Sequence, residues 1–358
     1  MKQKKTYCFF ELFEKFILES KKGRRLQPNG KRISVGTIAN YQACLRLIRE
    51  FCQEENFNLR IISAIKLNAK QFHSEKLYWK RFYLKFTSYL YNRKNFFDNY
   101  TGSQIKLIKT FFNYLNCETT IHAGNFYKQF YVRKEAIAIF PLLPEELNFL
   151  IYDKDFEKSL SPRMQETKDV FVFGCTVALR VSDLLALKPQ HIRTSNNRHY
   201  LSVRSQKTAT QTLINLPDYC IEIYKKYSGK LIRRLLPKFN KSNLNACIKQ
   251  LMELAGFVQE VELIRERRGV MEVVRNTNNA EKKFRFCDVA STHTMRRTAI
   301  TTMLCLGMPE QLVRKISGHA PASADFHRYV QWAQAYQDQE AQAVFLKLRE
   351  TKSILLRA

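Results

Sequence analysis

Apolar residues recur every three or four positions in three segments of the first third of the chain. The segment 34–54 carries them at Ile38, Tyr41, Leu45, Ile48 and Phe51. The segment 75–94 carries them at Trp79, Phe82, Tyr83, Phe86 and Leu90, and the third segment, 100–115, repeats the pattern. The spacing places the apolar side chains along one side of a helix. We therefore predict three amphipathic helices, the third of them capped by Thr101 or Ser103.

The opposite sides of these helices are basic. On the second and third helices the candidates for contact with an anionic partner are Lys80, Arg81, Lys85, Lys106 and Lys109. A single helix of this kind is typical of a helical bundle with solvated lysines. Three basic faces in one domain favour contact with phosphate groups.

The helical periodicity stops at about residue 130 and resumes at Pro144, which two acidic residues follow, as at the start of a helix. Proline and loss of periodicity together indicate a connection between domains. The pattern predicts a helical domain over 1–130, a linker over 131–142 and a second domain over 143–358.

The second domain combines helical and strand patterns. Residues 145–153 and 167–187 have helical spacing, whereas 199–217 alternate between apolar and polar positions. Alternation of this kind predicts a β-hairpin, which would turn near Lys207–Thr210. The polar stretch 265–291 is predicted to form strands or loops. The fold class is therefore mainly α with a small antiparallel β-sheet (α+β).

Composition narrows the class of protein. The chain has 358 residues and is 45% hydrophobic, enough for two domains with cores of their own. Apolar runs are shorter than the roughly 18 residues that span a bilayer. The N-terminal 20 residues interleave acids with apolar positions, unlike a signal peptide, so we expect a cytoplasmic protein. Nine cysteines without a CxxC or CxxH pair indicate reduced thiols, with neither a zinc site nor a disulfide framework.

The charge is strongly positive. Sixty Lys and Arg against 32 Asp and Glu give +28, and residues 1–140 alone hold 26 basic and 10 acidic residues. Such an excess indicates a polyanionic partner for both domains. A membrane surface is the weaker alternative, because the basic residues are spread along the chain and form no single amphipathic anchor. We therefore predict a nucleic acid partner and no membrane.

Two clusters of polar residues suit phosphodiester chemistry. A phosphodiester gains negative charge in its transition state, so cleavage needs fixed positive donors, a nucleophile and a proton donor. His293 and Arg296 are three residues apart and therefore share one side of a helix. Arg180 follows an apolar helix, with Asp183 one turn later. Taken alone, the His293–Arg296 cluster is also typical of a solvent-facing polar patch, and Arg180 with Asp183 of an ordinary helix ion pair.

The order of these residues is more specific than any one of them. Along the chain come Arg180, Lys207, His293 with Arg296, the Gly-His pair ending at His319, and Tyr329. This order resembles the catalytic signature of the tyrosine recombinases, the phage integrase family. The resemblance covers about 143–335, and the basic helical domain with its linker matches the layout of that family's core-binding domain.

The resemblance implies a mechanism without ATP or a metal ion. Tyr329 would attack the scissile phosphate, forming a 3′-phosphotyrosyl bond and freeing a 5′-hydroxyl that later attacks the partner strand. The other implied roles are phosphate clamping by Arg180 and Arg296, protonation of the leaving 5′ oxygen by Lys207, proton transfer with Tyr329 by His293, a hydrogen bond to the phosphate from His319, and orientation of Arg180 by Asp183.

Two of these assignments have rivals in the sequence. Tyr329 lies ten residues after His319, where the family usually has nine, and a one-residue insertion in the intervening loop would account for the difference. Tyr336 is seventeen residues from His319, within a glutamine-rich stretch. Arg204 lies close to Lys207 in the same predicted hairpin. We assign the roles to Tyr329 and Lys207.

The function implied is that of a site-specific recombinase or integrase that moves or inverts a bacterial mobile element. It would act on double-stranded DNA, as a homo-tetramer that holds two synapsed duplexes. The reaction would take place in the bacterial nucleoid, and an accessory directionality or DNA-bending factor could take part. The last segment, 341–358, is predicted to be a short amphipathic helix that docks on a neighbouring protomer or folds back in cis. The alternatives are a type IB topoisomerase-like enzyme, which shares the constellation, and a catalytically silent DNA-binding protein of the same fold.

Overall fold

The computed structural model describes residues 5–65, 67–204, 211–228, 234–275, 283–321 and 323–355. The chain divides into two compact units. The first is Met1–Ile137 with Ile264–Val274, and the second is Ala138–Leu263 with Arg275–Ala358. The first boundary falls inside the predicted linker 131–142. Residues 264–274 differ from the prediction, which placed them in the catalytic domain.

The first unit is a helical bundle with one small sheet. Its elements up to residue 129 are β1 (Thr6–Cys8), α1 (Phe9–Lys22), α2 (Val35–Glu54), β2 (Arg60–Ile62), α3 (Ala69–Asn92), α4 (Asp98–Glu118) and a 3-10 turn (Phe126–Gln129). Strands β1 and β2 pair antiparallel. Helices α2, α3 and α4 confirm the three helices predicted from the apolar spacing.

The start of α4 corrects one detail of that prediction. The helix begins at Asp98, three to five residues before the predicted caps Thr101 and Ser103. Thr101 is buried inside the helix, and the Ser103 hydroxyl donates back to the carbonyl of Asn99 at 2.8 Å. Asn99 N donates to the carboxylate of Glu135 at 3.2 Å, so an amide of the first turn has an acceptor without a hydroxyl cap.

Aromatic rings fill the core of the first unit. The rings of α1 and α4 meet at Phe13 and Phe111, whose centroids are 4.6 Å apart. Trp79 of α3 is fully buried and makes an edge contact with Phe112 at 4.8 Å. The predicted apolar stripes are the buried sides of their helices, with Ile38 and Tyr83 half-buried at their margins.

The second unit begins at Ala138 and runs through both helices and strands. Its elements up to residue 263 are α5 (Pro144–Tyr152), α6 (Lys154–Ser159), α7 (Pro162–Val177), α8 (Val181–Leu184), a 3-10 turn (Pro189–His191), β3 (Ile192–Ser195), β4 (Arg198–Arg204), β5 (Gln211–Leu216), α9 (Asp218–Tyr227), α10 (Lys241–Leu254) and β6 (Glu260–Val261). Pro144 occupies the first turn of α5, as predicted.

The predicted β-hairpin of the second unit is present. Strands β3, β4 and β5 form an antiparallel sheet in that order, with His199 opposite Leu216 and Arg204 opposite Gln211. The predicted turn, including Lys207, lies outside the described residues. The fold class predicted from the sequence, mainly α with a small antiparallel sheet, is confirmed.

A second hairpin, β7 (Ile264–Arg267) and β8 (Val270–Val273), belongs to the first unit. It turns through Arg268 and Gly269, whose φ angles of 56° and 79° suit a two-residue turn. The Asp98 carboxylate accepts hydrogen bonds from both backbone N–H groups, at 2.9 and 2.8 Å. Glu135 accepts from the backbone of Glu266 at 2.7 Å.

The second unit resumes after the hairpin with β9 (Phe284–Arg285), α11 (Phe286–Val289), α12 (Thr292–Cys305), α13 (Glu310–Ser317) and α14 (Ala324–Leu355). Helix α7 is buried on all sides over Thr167–Cys175, and α12 packs closely against it at Gly174. A smaller apolar cluster joins α12, α13 and α14.

Helix α14 differs from the short C-terminal helix that the sequence predicted. It runs without a break for 32 residues and ends with residues 341–355 of the predicted segment, while 356–358 lie outside the described residues. Val344, Phe345 and Leu346 on this end are exposed. Over the residues that the structure describes, no helix combines the length and apolar character required to cross a membrane.

Candidate active site

The end of α7 positions Arg180. Ala178 adopts a left-handed conformation with φ of 53°, which stops α7 and turns the chain. Arg180 then serves as the N-cap of α8, its carbonyl accepting from Asp183 N and Leu184 N at 2.9 Å each. Arg180 therefore lies at a sharp junction between two helices, with Asp183 buried one turn later.

The start of α12 is fixed by a reciprocal cap. The side chain of Ser291 accepts from His293 N at 3.3 Å, and the Thr294 hydroxyl interacts with Ser291 N at 3.0 Å. Thr292 N also donates to Asn245 of α10 at 2.8 Å. The first turn of α12, which carries His293, is thereby held in place, and Arg296 follows one turn later.

Arg296 is buried and ties three segments together. Its Nη1 donates to the carbonyl of Ala178 at 2.7 Å, and its Nη2 donates to the carbonyl of Ser317 at 2.6 Å. The same Nη2 lies 3.4 Å from both ring nitrogens of His319. The guanidinium is therefore held between the end of α7 and the Gly-His pair, where an anion would meet it.

Like charges gather around this guanidinium. Burial and the nearby charge of Arg180 lower the pKa of Arg296 to about 10, although Tyr329 and Asp183 act in the opposite direction. Burial, Arg296 and Arg180 lower the pKa of His319 to about 4. Positive groups that disfavour each other in this way form a site for a negatively charged ligand, which would relieve their repulsion.

His293 keeps an exposed edge but has a similar electrostatic environment. Burial of part of its ring, followed by the charges of Arg297 and Lys241, lowers its pKa below the ordinary value of histidine. His293 is therefore neutral near pH 7 and able to accept a proton. Arg180 contributes to the same shift, which places it within electrostatic range of His293 as well as of Arg296.

Tyr329 lies near the start of α14, beside this cluster. The centroid of its ring is 5.9 Å from that of His319 and 6.0 Å from that of Phe326. Its hydroxyl is also within electrostatic range of Arg297 of α12. The structure thus brings five of the predicted site residues into one region of the second unit: Arg180, His293, Arg296, His319 and Tyr329.

Tyr336, the rival nucleophile, is engaged elsewhere in the second unit. Its hydroxyl donates to the carboxylate of Glu145 at 2.7 Å, and its ring stacks on Trp332. The hydrogen bond to Glu145 is the main reason why the pKa of Tyr336 is raised. The carboxylate beside this hydroxyl would repel an anionic phosphate, so the surroundings favour Tyr329.

The remaining predicted site residues fall into two groups. Lys207 lies outside the described residues, while Arg204 ends strand β4 with an exposed side chain. In the first unit, four of the five predicted phosphate-contacting residues are exposed: Lys80, Arg81, Lys85 and Lys106. Lys109 differs, because its ammonium group donates to the carbonyl of Phe130 at 2.9 Å and so has a structural role.

Two site residues were not predicted from the sequence. Ser317 supplies a carbonyl to Arg296, and its hydroxyl oxygen lies 2.8 Å from Nδ1 of His319. Arg297 lies within electrostatic range of Tyr329. The only sequence features that point to these two residues are the second arginine of "HTMRRT" and the serine of "SGH". Among the described residues, no three or more His, Cys, Asp or Glu side chains are grouped as a metal site would require.

Comparisons with known proteins agree with this geometry. A model described as "Phage integrase family" matches residues 152–335, more than half of the chain. A search of curated proteins found no match. The chain belongs to the phage integrase family, and its enzyme class is that of the tyrosine-type site-specific DNA recombinases. The family resemblance predicted from the sequence is confirmed.

Solved structures share the fold at low sequence identity. XerH recombinase in a post-cleavage complex with a palindromic difH substrate is 16% identical, with a TM-score of 0.59, and the match covers 94% of this chain and 84% of XerH. A lambda integrase dimer on a core site is 13% identical, with a TM-score of 0.59 and coverage of 91% and 95%. Lambda integrase is also known as a tetramer on a Holliday junction, which has a TM-score of 0.55 and 12% identity and covers 88% of this chain and 78% of that one.

The Tn1549 transposon integrase, solved with transposon right-end DNA, is a third relative in fold. It is 12% identical, with a TM-score of 0.54, and the match covers 94% of this chain and all of the solved chain. At these identities the likeness concerns the fold alone.

Proposed function

We propose that this chain cuts and rejoins DNA at specific sites, with Tyr329 as the nucleophile that becomes linked to a 3′ phosphate. The observation that supports this most strongly is the buried guanidinium of Arg296, which adjoins His319 and lies within electrostatic range of both Arg180 and Tyr329. Fixed cations next to a tyrosine match the needs of phosphoryl transfer, where charge builds on the non-bridging oxygens.

Each step of the cleavage has a residue to support it. The Tyr329 oxygen attacks phosphorus, the bond from phosphorus to the 5′ oxygen breaks, and His293 in its neutral form accepts the phenolic proton. Arg180 and Arg296 hold the non-bridging oxygens, with a hydrogen bond from His319, and Asp183 orients Arg180. Lys207 protonates the departing 5′ oxygen. Rejoining is the reverse, with a 5′-hydroxyl from the partner strand as nucleophile.

We further propose the biological setting. The fold shared with a transposon integrase favours integration, excision or inversion of a mobile element, and lambda integrase is known as a tetramer on a four-way junction. By analogy with these relatives, the chain would act as a homo-tetramer on two synapsed DNA duplexes. The DNA would be that of a bacterial nucleoid in the cytoplasm, and a directionality or DNA-bending factor would assist the reaction. The helical domain 1–130 and the catalytic domain from 143 would divide binding from chemistry.

The test is a nicked suicide substrate that carries a candidate element end and loses its 5′-hydroxyl strand after cleavage. A covalent protein–DNA band on a denaturing gel is expected for the wild type and for Tyr336→Phe, and none for Tyr329→Phe. A band lost only in Tyr336→Phe would move the nucleophile. A protein that binds this DNA but forms no band under any condition would be the catalytically silent alternative.

A supercoiled plasmid separates the recombinase from the topoisomerase-like alternative. Recombination of two sites on the plasmid, with relaxation confined to plasmids that carry a site, supports the proposal. Relaxation of plasmids without any site would favour the topoisomerase-like alternative.

A further inference from the structure

Arg297 lies on the side of α12 that packs against α14. Ile300 and Leu304 follow it at the third and seventh positions, and residues with this spacing share one side of a helix. Both belong to the apolar cluster that Phe326 and Ala333 of α14 complete. The half-buried side chain of Arg297 therefore starts at the interface between the two helices.

The register between these helices brings Arg297 level with Tyr329. Gln337 of α14 donates to the carbonyls of Leu304 and Cys305 at 3.3 and 3.4 Å. From this contact, Arg297 lies seven residues back along α12 and Tyr329 eight residues back along α14. At about 1.5 Å per residue these are distances of roughly 10 and 12 Å along the two helices. They run in the same direction, because His319 lies beside both Arg296 and Tyr329. At that level the two side chains are close enough to interact electrostatically.

We propose that Arg297 is a further catalytic residue, whose guanidinium contacts the phenolic oxygen of Tyr329 and stabilises the phenolate as it attacks the phosphate. This inference rests on the proposed role of Tyr329. An ordinary phenol has a pKa near 10 and is mostly protonated at neutral pH, so it needs such help. The phenolic proton passes to His293, the Tyr329 oxygen bonds to phosphorus, and the 5′ oxygen leaves with a proton from Lys207.

The two consecutive arginines have separate tasks. Arg296 directs its donors to the carbonyls of Ala178 and Ser317 and faces His319, on the phosphate side. Arg297 is turned by about 100° around the helix axis and meets the nucleophile. Burial lowers the pKa of Arg297 and the nearby Tyr329 raises it, and the guanidinium remains charged at neutral pH.

The charged and titratable groups around Tyr329 come from several elements. Arg296 and Arg297 approach it from α12, His319 from the turn after α13, and Arg328 from its own helix. Because the pKa of His319 is about 4 in the free protein, the permanent positive charges beside Tyr329 at neutral pH are those of the arginines.

The first experiment measures the rate of covalent-complex formation at pH 7. Arg297→Ala is expected to slow it by about 10- to 100-fold, because the developing phenolate loses a cationic partner. Arg297→Lys should restore part of the rate, because it keeps the charge. Arg163→Ala, an arginine stacked on Phe239 of the same unit, is the matched control and should cleave like the wild type. A wild-type rate in Arg297→Ala would overturn the inference.

The second experiment separates the nucleophile from the phosphate clamp. DNA ending in a 3′-(p-nitrophenyl phosphate) is joined when a 5′-hydroxyl attacks phosphorus and p-nitrophenolate leaves, a step that bypasses Tyr329. Arg297→Ala should lose at least 10-fold less in joining than in cleavage, whereas Arg296→Ala should lose both. Equal losses in Arg297→Ala would refute its contact with the nucleophile and leave the proposed function standing. A covalent band in Tyr329→Phe would refute the proposed role of Tyr329 as nucleophile, on which this inference rests.

Discussion

At the scale of single residues, the contacts of His319 determine which ring nitrogen carries its proton. The Ser317 hydroxyl donates to the carbonyl of Val313 at 2.7 Å, so its oxygen accepts the hydrogen bond from Nδ1 of His319 at 2.8 Å. Nε2 is then left with a lone pair, 3.4 Å from Arg296. Because burial and neighbouring cations lower the pKa of His319 to about 4, this neutral form is the one present at neutral pH.

DNA binding should therefore be accompanied by proton uptake at His319. A phosphate beside Nε2 favours the protonated ring, which raises its pKa and lets it donate the hydrogen bond proposed above. We expect titration calorimetry at pH 6, in buffers of different ionisation enthalpy, to show uptake of roughly one proton by the wild type. His319→Gln keeps a donor without a titrating group and should remove the uptake. Equal uptake by both proteins would contradict the assignment.

Site residues that follow a fixed spacing can be predicted from the sequence, whereas those that depend on the packing of helices cannot. Helical periodicity alone places His293 and Arg296 together, and the family order singles out Tyr329. Ser317 and Arg297 could not be found in this way, because their contacts exist only once α13 and α14 pack against α12. The glutamate partner of Tyr336 is 191 residues away in sequence and was equally hidden.

At the scale of elements, the close approach of α7 and α12 determines how near Arg180 comes to Arg296. A Cβ added at Gly174 would lie 2.5 Å from Sδ and 3.1 Å from Cβ of Met295. Contacts this short require one helix to shift or the methionine to change rotamer. Glycine at this position therefore sets the distance between α12, which carries Arg296, and α7, which ends just before Arg180.

Gly174→Ala is accordingly expected to destabilise the second unit. Alanine adds up to about 1 kcal/mol of helix propensity, but the overpacking costs about 1–3 kcal/mol, so the net change is a loss of up to about 2 kcal/mol. Urea unfolding measures it. Met295→Ala introduced together with Gly174→Ala should cost less than the sum of the two single changes. Additive losses would mean that the methionine is not the obstacle.

The hairpin β7–β8 shows where element prediction from sequence ends. Residues 265–291 were predicted as strands or loops, and strands are present there. Their place in the first unit could not be predicted, because it depends on carboxylates far away in the chain. Asp98 holds the turn, and Glu135 pairs with the guanidinium of Arg265 at 2.6 and 3.0 Å.

Asp98 should therefore be essential for keeping this hairpin in the first unit. Its carboxylate is buried and accepts from Arg268 N, Gly269 N and the Tyr91 hydroxyl, so Asp98→Ala leaves buried donors without a partner. We expect a loss of about 3 kcal/mol of unfolding free energy and faster hydrogen exchange of the two hairpin amides. Asp155→Ala, which removes an exposed carboxylate, should change stability by less than about 0.5 kcal/mol. Unchanged hairpin protection in Asp98→Ala would show that other contacts suffice.

At the scale of the whole molecule, charge was the most informative property of the sequence. The excess of 28 positive charges by itself, without any motif, indicates a polyanionic partner. Charge could not show which lysines are free to meet phosphate, because that depends on the folded chain. Lys80, Arg81 and Lys85 are exposed on α3, whereas the ammonium group of Lys109 donates a hydrogen bond to a backbone carbonyl.

The salt dependence of DNA binding tests this division. Each phosphate contact contributes about 0.9 to the slope of log K against log salt, so replacing Lys80, Arg81 and Lys85 by alanine should make the slope shallower by about 3. Lys109→Ala should leave the slope unchanged and instead lower the stability of the first unit, because its ammonium group serves the Phe130 carbonyl. Fluorescence anisotropy between 50 and 300 mM salt, roughly the range in which such slopes are linear, gives both values. A slope that changes with Lys109 and not with the triple variant would place the DNA on the α4 side of the bundle, because only the α4 lysine would then contact phosphate.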